Sequence, residues 1–293
     1  MRPAILLLLS AAVLFGQLKG IVDIHTHGDP DSAARKIDVL EFARLAQQEG
    51  MRAVVLKNHY APTVQIAYLV NKIVPGVQSF GAIALNRSVG GVNPVAVEQA
   101  GAFKGNYLRI VWMPTFDSEN DVKFNKRNQP FVAVSKNGQL LPEVIEVLKL
   151  IAKLNVALGT GHSTPAEDLM LIREAKKQGV SKIVVTHPTQ PLVAMKMDQM
   201  KEAASLGAYL ELCAGQILTS PAGSHPDLND FVNTIRSVGA EHMILSSDLG
   251  QPQNPVHTEG WKQYLALLKK GGISDAQIDL MARRNPAKLL GLE

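Results

Sequence analysis

Short apolar runs alternate with amphipathic stretches along the chain from residue 21 onwards. There are eight such runs, at residues 21–24, 53–56, 81–85, 108–113, 156–159, 182–186, 208–212 and 243–247. Few polar residues alternate with the apolar ones inside these runs. The runs therefore predict strands that are buried on both faces, which is typical of a parallel sheet.

The segments between the runs carry helix signals. Residues 38–50 begin with Asp38, a residue type that caps helix N-termini, and they end at Gly50. Residues 142–154 and 165–179 each begin with proline, which is favoured at the first helical position. Eight strand–helix units over residues 17–293 predict an α/β fold of the (β/α)8 barrel type. A doubly wound open sheet is the rival fold.

One of these units is longer than the others. A polar insertion at residues 117–141 follows the fourth run, and the segment FVAVSKNGQLL inside it predicts a β-hairpin that turns at Asn137 and Gly138. Loops that follow barrel strands lie on the C-terminal face, where active sites are found. We therefore expect the insertion to be either a lid or pocket wall, or a loop without a role.

The first 16 residues have the pattern of a signal peptide. Arg2 precedes an uncharged apolar run from Ala4 to Gly16, which is shorter than the roughly 20 residues that span a bilayer. We expect residues 1–16 to direct export, and the barrel domain at 17–293 to be periplasmic or secreted. The alternative is a cytoplasmic protein in which this segment is a buried strand or helix, or results from a misassigned start codon. We expect no stable membrane anchor.

Composition limits the classes of partner. The chain is 46% hydrophobic and 19% charged, so a large core can form and global disorder is excluded. The net charge is only +4 and both signs are interspersed, so we expect a small-molecule substrate and no nucleic acid. A homo-oligomer is compatible with the sequence. The single cysteine, Cys213, excludes an intrachain disulfide and a multi-cysteine metal site.

The first strand ends in two histidines. In the segment IVDIHTH, strand alternation gives His25 and His27 the same face. Alternation also places Asp23 on that face, and it points Val22 and Ile24 toward the helices. Two imidazoles at this spacing can bind one metal ion.

Three other strands also end in residues that bind metals. His162 ends the fifth run, His187 ends the sixth and Asp248 ends the eighth. The C-terminal strand ends of a barrel converge on one face, so these side chains should meet the two histidines of the first strand. Nitrogen and oxygen ligands of this kind suit Zn²⁺, with Mn²⁺, Fe²⁺ or Co²⁺ as chemical alternatives. The sequence therefore predicts a divalent metal site with one or two ions.

This pattern resembles the amidohydrolase superfamily of metal-dependent hydrolases. The shared features are HTH on strand 1, histidines on strands 5 and 6, and aspartate on strand 8. The segment RRNPAKLLGL at residues 283–292 is similar to the closing helix of many members. The chain looks like an uncharacterised bacterial branch of that superfamily.

The resemblance also implies roles for these residues. His25, His27 and Asp248 would hold a first metal, and Asp248 would accept a proton from the attacking water. His162 and His187 would hold a second metal, or one of them would orient the substrate.

The sequence departs from binuclear members of the superfamily at strand 4. Those members bridge two ions with a carboxylated lysine or a glutamate, whereas the fourth run has neither, and Asp117 is the nearest carboxylate. After the second run, Lys57 and His59 share an inward face with Val55. Lys57 could be a carboxylated bridge, a neutral amine, a cation that holds a substrate carboxylate, or part of a structural ion pair. His59 is a candidate ligand or substrate contact.

Further residues at strand ends complete the predicted site. The candidates for substrate binding are Asn86, Arg87, Glu211 and Gln251. Arg87 could clamp an anion, and a buried Glu211 would need a partner such as Lys57. The remaining histidines, which we expect at the surface, are His225, His242 and His257.

These features predict a hydrolase that activates water to attack an amide, lactone or related ester bond, with Asp248 as the general base. No G-x-S-x-G motif is present, and Cys213 has no histidine beside it in sequence, which argues against serine and cysteine nucleophiles. The histidine after strand 2 also resembles the polymerase-and-histidinol-phosphatase family, so a phosphoesterase is the alternative. The other classes to be tested are a lyase or isomerase on this scaffold, and a metal-containing barrel that binds a ligand without turnover.

Overall fold

Eight parallel strands surround the centre of the molecule. The computed structural model describes residues 16–219 and 224–293, so the expected export segment lies outside the described residues apart from Gly16. The strands are β1 (Val22–Thr26), β2 (Ala53–Leu56), β3 (Gln78–Ala84), β4 (Leu108–Trp112), β7 (Ala157–Gly159), β8 (Ile183–Val185), β9 (Tyr209–Cys213) and β10 (Met243–Ser246). Each of them coincides, within a few residues, with one of the eight apolar runs.

The strands are arranged in sequence order around a ring. Their order is β1-β2-β3-β4-β7-β8-β9-β10, and every pairing within the sheet is parallel. Just beyond β10, the Asp248 amide donates to the His25 carbonyl and the His27 amide donates to the Leu249 carbonyl, both at 2.8 Å. These bonds join the last strand to the first. The predicted (β/α)8 barrel is confirmed, and the open doubly wound sheet is excluded.

Helices follow the strands and cover the outside of the barrel. They are α1 (Val39–Gln48), α2 (Val64–Ile73), α3 (Pro94–Ala102), α4 (Glu119–Phe124), α5 (Pro142–Leu154), α6 (Pro165–Lys177), α7 (Met197–Ser205), α8 (Ala214–Leu218), α9 (Leu228–Val238), α10 (His257–Lys270), α11 (Asp275–Asp279) and α12 (Asn285–Leu290). Asp38 caps α1 by accepting from two backbone amides, and Thr164 forms a capping box with Glu167 at α6. No helix within residues 16–219 and 224–293 combines the length and apolar character that a membrane span requires.

The core has two layers. One layer packs the outward strand side chains against the helices, and the other fills the barrel interior with residues such as Val55, Ile110 and Ile244. Leu289 and Leu290 of α12 belong to the interior layer. Since apolar side chains fill the interior, the polar residues at the strand ends form a shallow site on top of a packed core.

The insertion after β4 contains a short helix and a short two-stranded ladder. The helix α4 was not predicted from the sequence. Strands β5 (Ser135–Lys136) and β6 (Gln139–Leu140) pair antiparallel, and the turn residues Asn137 and Gly138 have φ angles of 51° and 73°. The ladder is much shorter than the 131–141 segment suggested. Asn120 in α4 donates to the carbonyl oxygens of His162 and Leu192, at 3.2 and 2.9 Å, which holds the insertion against the C-terminal face.

Candidate metal centre

Three metal-type side chains converge on one point at the top of the barrel. Nε2 of His25 and Nε2 of His27 each lie 3.1 Å from Oδ1 of Asp248. Both histidines are buried, whereas the Asp248 side chain is 21% exposed. The three atoms therefore face one another at a place that solvent can reach from one side.

An irregularity in β1 aims the two histidines inward. The register of β1 against β2 shifts between Asp23 and Thr26, so strict alternation does not hold there. The predicted facing of this strand is consequently wrong in part. Val22 and Ile24 belong to the interior core, while Asp23 accepts hydrogen bonds from Trp261 Nε1 of α10 at 2.7 Å and from a backbone amide of Ser247. Burial raises the pKa of Asp23 to about 6, although these hydrogen bonds act in the opposite direction.

Two of the predicted ligands have an unusual backbone conformation. His187 and Asp248 have φ angles of 54° and 48°, in the left-handed region that residues with a Cβ adopt infrequently. Such conformations persist only when the surrounding structure imposes them, and they concentrate at functional sites. The hydrogen bond from the Asp248 amide to the His25 carbonyl fixes the backbone at this position. The carboxylate is thereby directed back over the strand ends.

Glu211 of β9 orients His25. Its Oε1 lies 3.0 Å from Nδ1 of His25 and accepts from the Ser246 hydroxyl at 2.8 Å. Burial would raise the pKa of Glu211, but the charge and hydrogen bond of His25 outweigh it and lower the pKa to about 2. The sequence suggested Lys57 as the partner of Glu211. In the structure Lys57 only attracts the Glu211 carboxylate electrostatically, which also lowers its pKa. When Nδ1 of His25 donates to this carboxylate, Nε2 keeps the lone pair that a metal needs.

His162 has the same type of support from a residue that the sequence did not reveal. Asp121 of α4 is buried and accepts from Nδ1 of His162 at 2.6 Å, and it also pairs with Arg127. Gly161 allows the chain to reach this position: its φ is 71°, and a Cβ there would lie 2.4 Å from the carbonyl oxygens of Met113 and Pro114. Because Asp121 comes from the insertion, only the folded chain shows that it belongs to the site.

His187 completes the ring of imidazoles. Its Nε2 lies 3.6 Å from Oδ2 of Asp248, and its Nδ1 lies 3.4 Å from Sγ of Cys213. The ring centroids of His25 and His187 are 5.2 Å apart, and those of His162 and His187 are 5.6 Å apart. Burial raises the pKa of the Cys213 thiol well above its usual value, so this cysteine is a neutral neighbour of His187.

Lys57 points into the barrel, as predicted. Its Nζ lies 2.8 Å from Nε2 of His25 and 4.7 Å from the centre of the Trp112 ring, and only 2% of the residue is exposed. Burial lowers the pKa of the Lys57 ammonium, against the attraction of Asp248 and Glu211. Trp112 is the inward residue at the end of β4, so an indole occupies the strand end from which a bridging ligand would come.

His59 lies beside His27 and is held by two residues from other strand ends. The His59 ring stacks on His27 at 4.9 Å and on Phe116 at 3.9 Å. Its Nδ1 lies 2.8 Å from Oγ1 of Thr115, which accepts from the Asn86 amide at 2.7 Å. Asn86 is fully buried, and both ends of its amide are bound to protein atoms, so it supports His59 and has no atom directed at a substrate.

The other candidate residues lie outside this cluster. Arg87 is exposed beside the Gly90–Gly91 loop, and the Gln251 side chain accepts from Asn254 at 2.6 Å.

The prediction that His257 lies at the surface is wrong. It is fully buried, stacks on Phe42 and binds the carbonyl oxygen of His27 at 2.9 Å through Nε2. Of the other two histidines expected at the surface, His225 is exposed and His242 is partly buried.

A cavity opens beside the imidazole cluster. It has a volume of about 480 Å³, and Phe116, Phe124, Leu192, Arg127 and His162 are among its lining residues. Phe116 and Phe124 are 36% and 51% exposed. The cavity therefore combines exposed aromatic side chains with polar groups that include His162 of the cluster, and a small molecule with an apolar group would fit it.

The donor set fits a divalent metal. Two ligands about 2.1 Å from one ion lie about 3.4 Å apart in tetrahedral geometry. The distances of 3.1 Å from Asp248 Oδ1 to the two histidine Nε2 atoms are close to this value. The carboxylate behind His25 is the usual second partner of a metal-bound histidine. Nitrogen and oxygen donors of this kind are typical of Zn²⁺ and related divalent ions.

Comparison with known proteins agrees with the fold. The match to the phosphotriesterase family and the similarity to solved barrels of this type confirm the resemblance to the amidohydrolase superfamily seen in the sequence. The chain belongs to the family of unknown function DUF6282, matched over residues 20–211, and to the phosphotriesterase family, matched over residues 134–290. A search of curated proteins found no match.

Solved structures share the barrel at low sequence identity. An organophosphorus hydrolase from Deinococcus radiodurans is 16% identical, with 94% of this chain and 93% of that chain covered and a TM-score of 0.60. A 2,6-dihydroxybenzoate decarboxylase from Rhizobium is 14% identical, with 94% and 99% covered and a TM-score of 0.52. At these identities the likeness shows the fold alone.

Proposed function

We propose that this protein is a zinc-dependent hydrolase that cleaves a lactone, amide or related ester bond in a small molecule. The observation that carries the proposal is the convergence of His25, His27 and Asp248, with both Nε2 atoms 3.1 Å from one carboxylate oxygen. The carboxylate of Glu211 behind His25 supports it, because a metal-binding histidine usually donates its other nitrogen to such a group.

The side chains of the site have different proposed roles. His25, His27 and Asp248 Oδ1 would hold the ion, which when bound would lower the pKa of water and polarise the scissile group. Oδ2 of Asp248 lies 3.6 Å from Nε2 of His187, and the side chain is partly exposed. We assign to this oxygen the role of accepting the proton of the attacking water and returning it to the leaving group.

Lys57 is proposed to be the bridging ligand in carboxylated form. An ammonium 2.8 Å from Nε2 of His25 would compete with a cation for the same lone pair, and the two positive charges would repel each other. A neutral amine can add CO₂ with release of one proton to solvent, and the resulting carbamate carries a negative charge and two oxygen ligands. Since Trp112 ends β4, we assign to Lys57 the ligand role that strand 4 does not supply, and His162 and His187 would hold the second ion.

The choice of bond rests on the apolar cavity and on the related proteins. The cavity beside His162 is rimmed by Phe116 and Phe124, which favours a substrate with an apolar part next to the reacting bond. The family match is to phosphotriesterases, and one similar structure is described as an engineering of organophosphate hydrolysis from a weak promiscuous lactonase template. A phosphoesterase is the second candidate because of this match and because His59 follows β2.

Metal content and turnover test the proposal together. Purified protein should contain stoichiometric zinc, and His25→Ala combined with His27→Ala should remove it, because two of three ligands are lost. His242→Ala, a histidine outside the site, is the matched control and should keep the metal. The wild type should hydrolyse a member of a panel of lactones, esters, amides and phosphotriesters. A double variant with its full metal content would refute the metal site, and tight ligand binding without any turnover would favour the binding-protein alternative.

The bridging role of Lys57 has its own test. Native mass spectrometry of the wild type should show the mass of one added CO₂ and two metal ions, and Lys57→Ala should lose the CO₂ and about one metal per chain. If Lys57 is instead a cation that holds a substrate anion, Lys57→Ala should raise KM while its metal content stays unchanged. That result would remove the carbamate from the proposal.

We also propose that residues 1–16 direct export to the periplasm or the medium. The support is the sequence pattern of Arg2 followed by an apolar run. Association with further copies of the chain and the absence of nucleic-acid partners remain expectations from composition.

A further inference from the structure

The hydrogen bonds around His59 determine which of its ring nitrogens carries the proton. Oδ1 of Asn86 accepts from the backbone amides of Thr115 at 2.8 Å and Asp117 at 3.2 Å. Backbone amides can only donate, so the orientation of the Asn86 amide is unambiguous. Its NH₂ group must therefore point the other way, where it donates to the carbonyl oxygen of His59 and to Oγ1 of Thr115.

The Thr115 hydroxyl then has one place for its own proton. Its oxygen already accepts from Asn86, and Thr115 is fully buried. Within the described part of the chain, the acceptor in hydrogen-bond contact with this hydroxyl is Nδ1 of His59, at 2.8 Å. A buried hydroxyl without an acceptor is costly, so the hydroxyl donates to Nδ1. Nδ1 of His59 then has no proton, and a neutral ring must carry its proton on Nε2.

This arrangement is the reverse of that at His25 and His162. Each of those rings has Nδ1 against a buried carboxylate, to which it donates, so the neutral ring carries no proton on Nε2. His59 has no carboxylate at Nδ1. Its faces are covered by His27 and Phe116, and none of the described residues accepts a hydrogen bond from its Nε2.

We propose that His59 is not a metal ligand but a neutral hydrogen-bond donor, which contacts the carbonyl or phosphoryl oxygen of the substrate through Nε2–H. The proposal deepens the proposed function, because the oxygen it contacts is the one that gains negative charge when water attacks. Thr115 and Asn86 are positioning residues that act through His59. Phe116, which stacks on the outer face of His59 and lines the cavity, would hold the apolar part of the same substrate.

The tautomer can be observed without a substrate. Long-range ¹H–¹⁵N spectra of protein labelled at its histidine nitrogens distinguish the two neutral forms, and the signals lost in His59→Gln assign His59. We expect a proton on Nε2 of His59 and protons on Nδ1 of His25 and His162. Thr115→Ser should keep this pattern, whereas Thr115→Val should move the His59 proton toward Nδ1. A proton on Nδ1 of His59 in the wild type would overturn the proposal.

Metal binding separates a donor from a ligand. When Zn²⁺ alone is added to metal-free protein, the ring nitrogens of His25 and His27 should shift while Nε2 of His59 keeps its proton, and His59→Gln should retain the wild-type metal ratio. Loss of a metal from His59→Gln would make His59 a ligand and overturn the proposal. A wild type that binds no Zn²⁺ would instead refute the proposed function and leave the tautomer assignment intact, so the two failures can be told apart.

Turnover supplies the third measurement. On a lactone or phosphotriester that the wild type hydrolyses, His59→Ala should lower kcat by about 10²–10³-fold at unchanged metal content, which is the usual loss for one donor to a developing oxyanion. His59→Gln retains an N–H donor and should lose less. Wild-type kcat in His59→Ala would overturn the donor role.

Discussion

Replacing Glu211 with glutamine tests whether the carboxylate behind His25 tunes the metal site. Glu211 is fully buried, and its Oε1 accepts from Nδ1 of His25 at 3.0 Å and from the Ser246 hydroxyl at 2.8 Å. Glutamine has nearly the same shape and keeps one oxygen acceptor, so the fold and the position of His25 should persist. The substitution removes the negative charge that makes the His25 ring a stronger donor to a cation.

The expected loss is one to two orders of magnitude in metal affinity. Mutation of the hydrogen-bond partner of a metal-binding histidine typically lowers the metal affinity by about 10–100-fold. This range corresponds to about 1.4–2.7 kcal/mol, because each tenfold change in affinity is about 1.4 kcal/mol. The assay is competition for Zn²⁺ between the metal-free protein and a chelating indicator, at one fixed pH and ionic strength. Thermal unfolding of the metal-free variant would show whether the fold is retained.

Glu202→Gln is the matched control. Glu202 lies in α7, is 41% exposed and pairs with Arg173 at the surface, so its loss should leave the metal affinity unchanged. If Glu211→Gln bound Zn²⁺ as tightly as the wild type while remaining folded, Glu211 would have no role in tuning His25. The inference of a metal-binding tautomer from this hydrogen bond would then fail.

Three further predictions concern the general base, a buried carboxylate and the N-terminus. Asp248→Asn should keep much of its metal but lower kcat by about 10²–10⁴-fold, because an amide cannot accept the proton; an unchanged kcat would exclude Asp248 as the base. Burial raises the pKa of Asp168 in α6 well above its usual value, so the folded protein holds that proton to higher pH than the unfolded chain does. The contribution of protonated Asp168 to the free energy of unfolding is thus present in acid and is lost as the pH rises. Asp168→Asn should raise Tm at pH 7 by a few degrees, about 1 kcal/mol, and change it little at pH 4; equal effects at both pH values would contradict this reasoning. Mature protein isolated from its native host should begin near Gln17, which N-terminal sequencing would show, and a soluble cytoplasmic form that retains Met1 would disprove export.

The local pattern of the chain was enough to predict the barrel. Buried parallel strands have apolar residues on both faces, so each strand appears in the sequence as a continuous apolar run, and all eight runs became barrel strands. Helix starts were also predictable where local signals determine them, as at Asp38 and Pro165. The ligand-type residues His162, His187 and Asp248 could be recognised because in a barrel every strand ends on the same face.

The details of the site depend on contacts between distant residues. The shift in β1 that turns Asp23 outward arises from its pairing with β2, so alternation within the strand could not show it. His257, 230 residues from His27, is buried behind it because α10 packs against that strand end. No local signal separates such a histidine from one on a helix surface.

What the sequence by itself determined was the architecture and the set of residues at the strand ends, because strand burial, helix capping and strand direction are properties of short segments. The tertiary structure decided which ring nitrogen carries the proton in three histidines of the site. Asp121 from the insertion sets His162, Glu211 from β9 sets His25, and Thr115 after β4 sets His59. These partners are 41, 186 and 56 residues away along the chain, and a hydrogen bond across such a separation exists only after the barrel has closed.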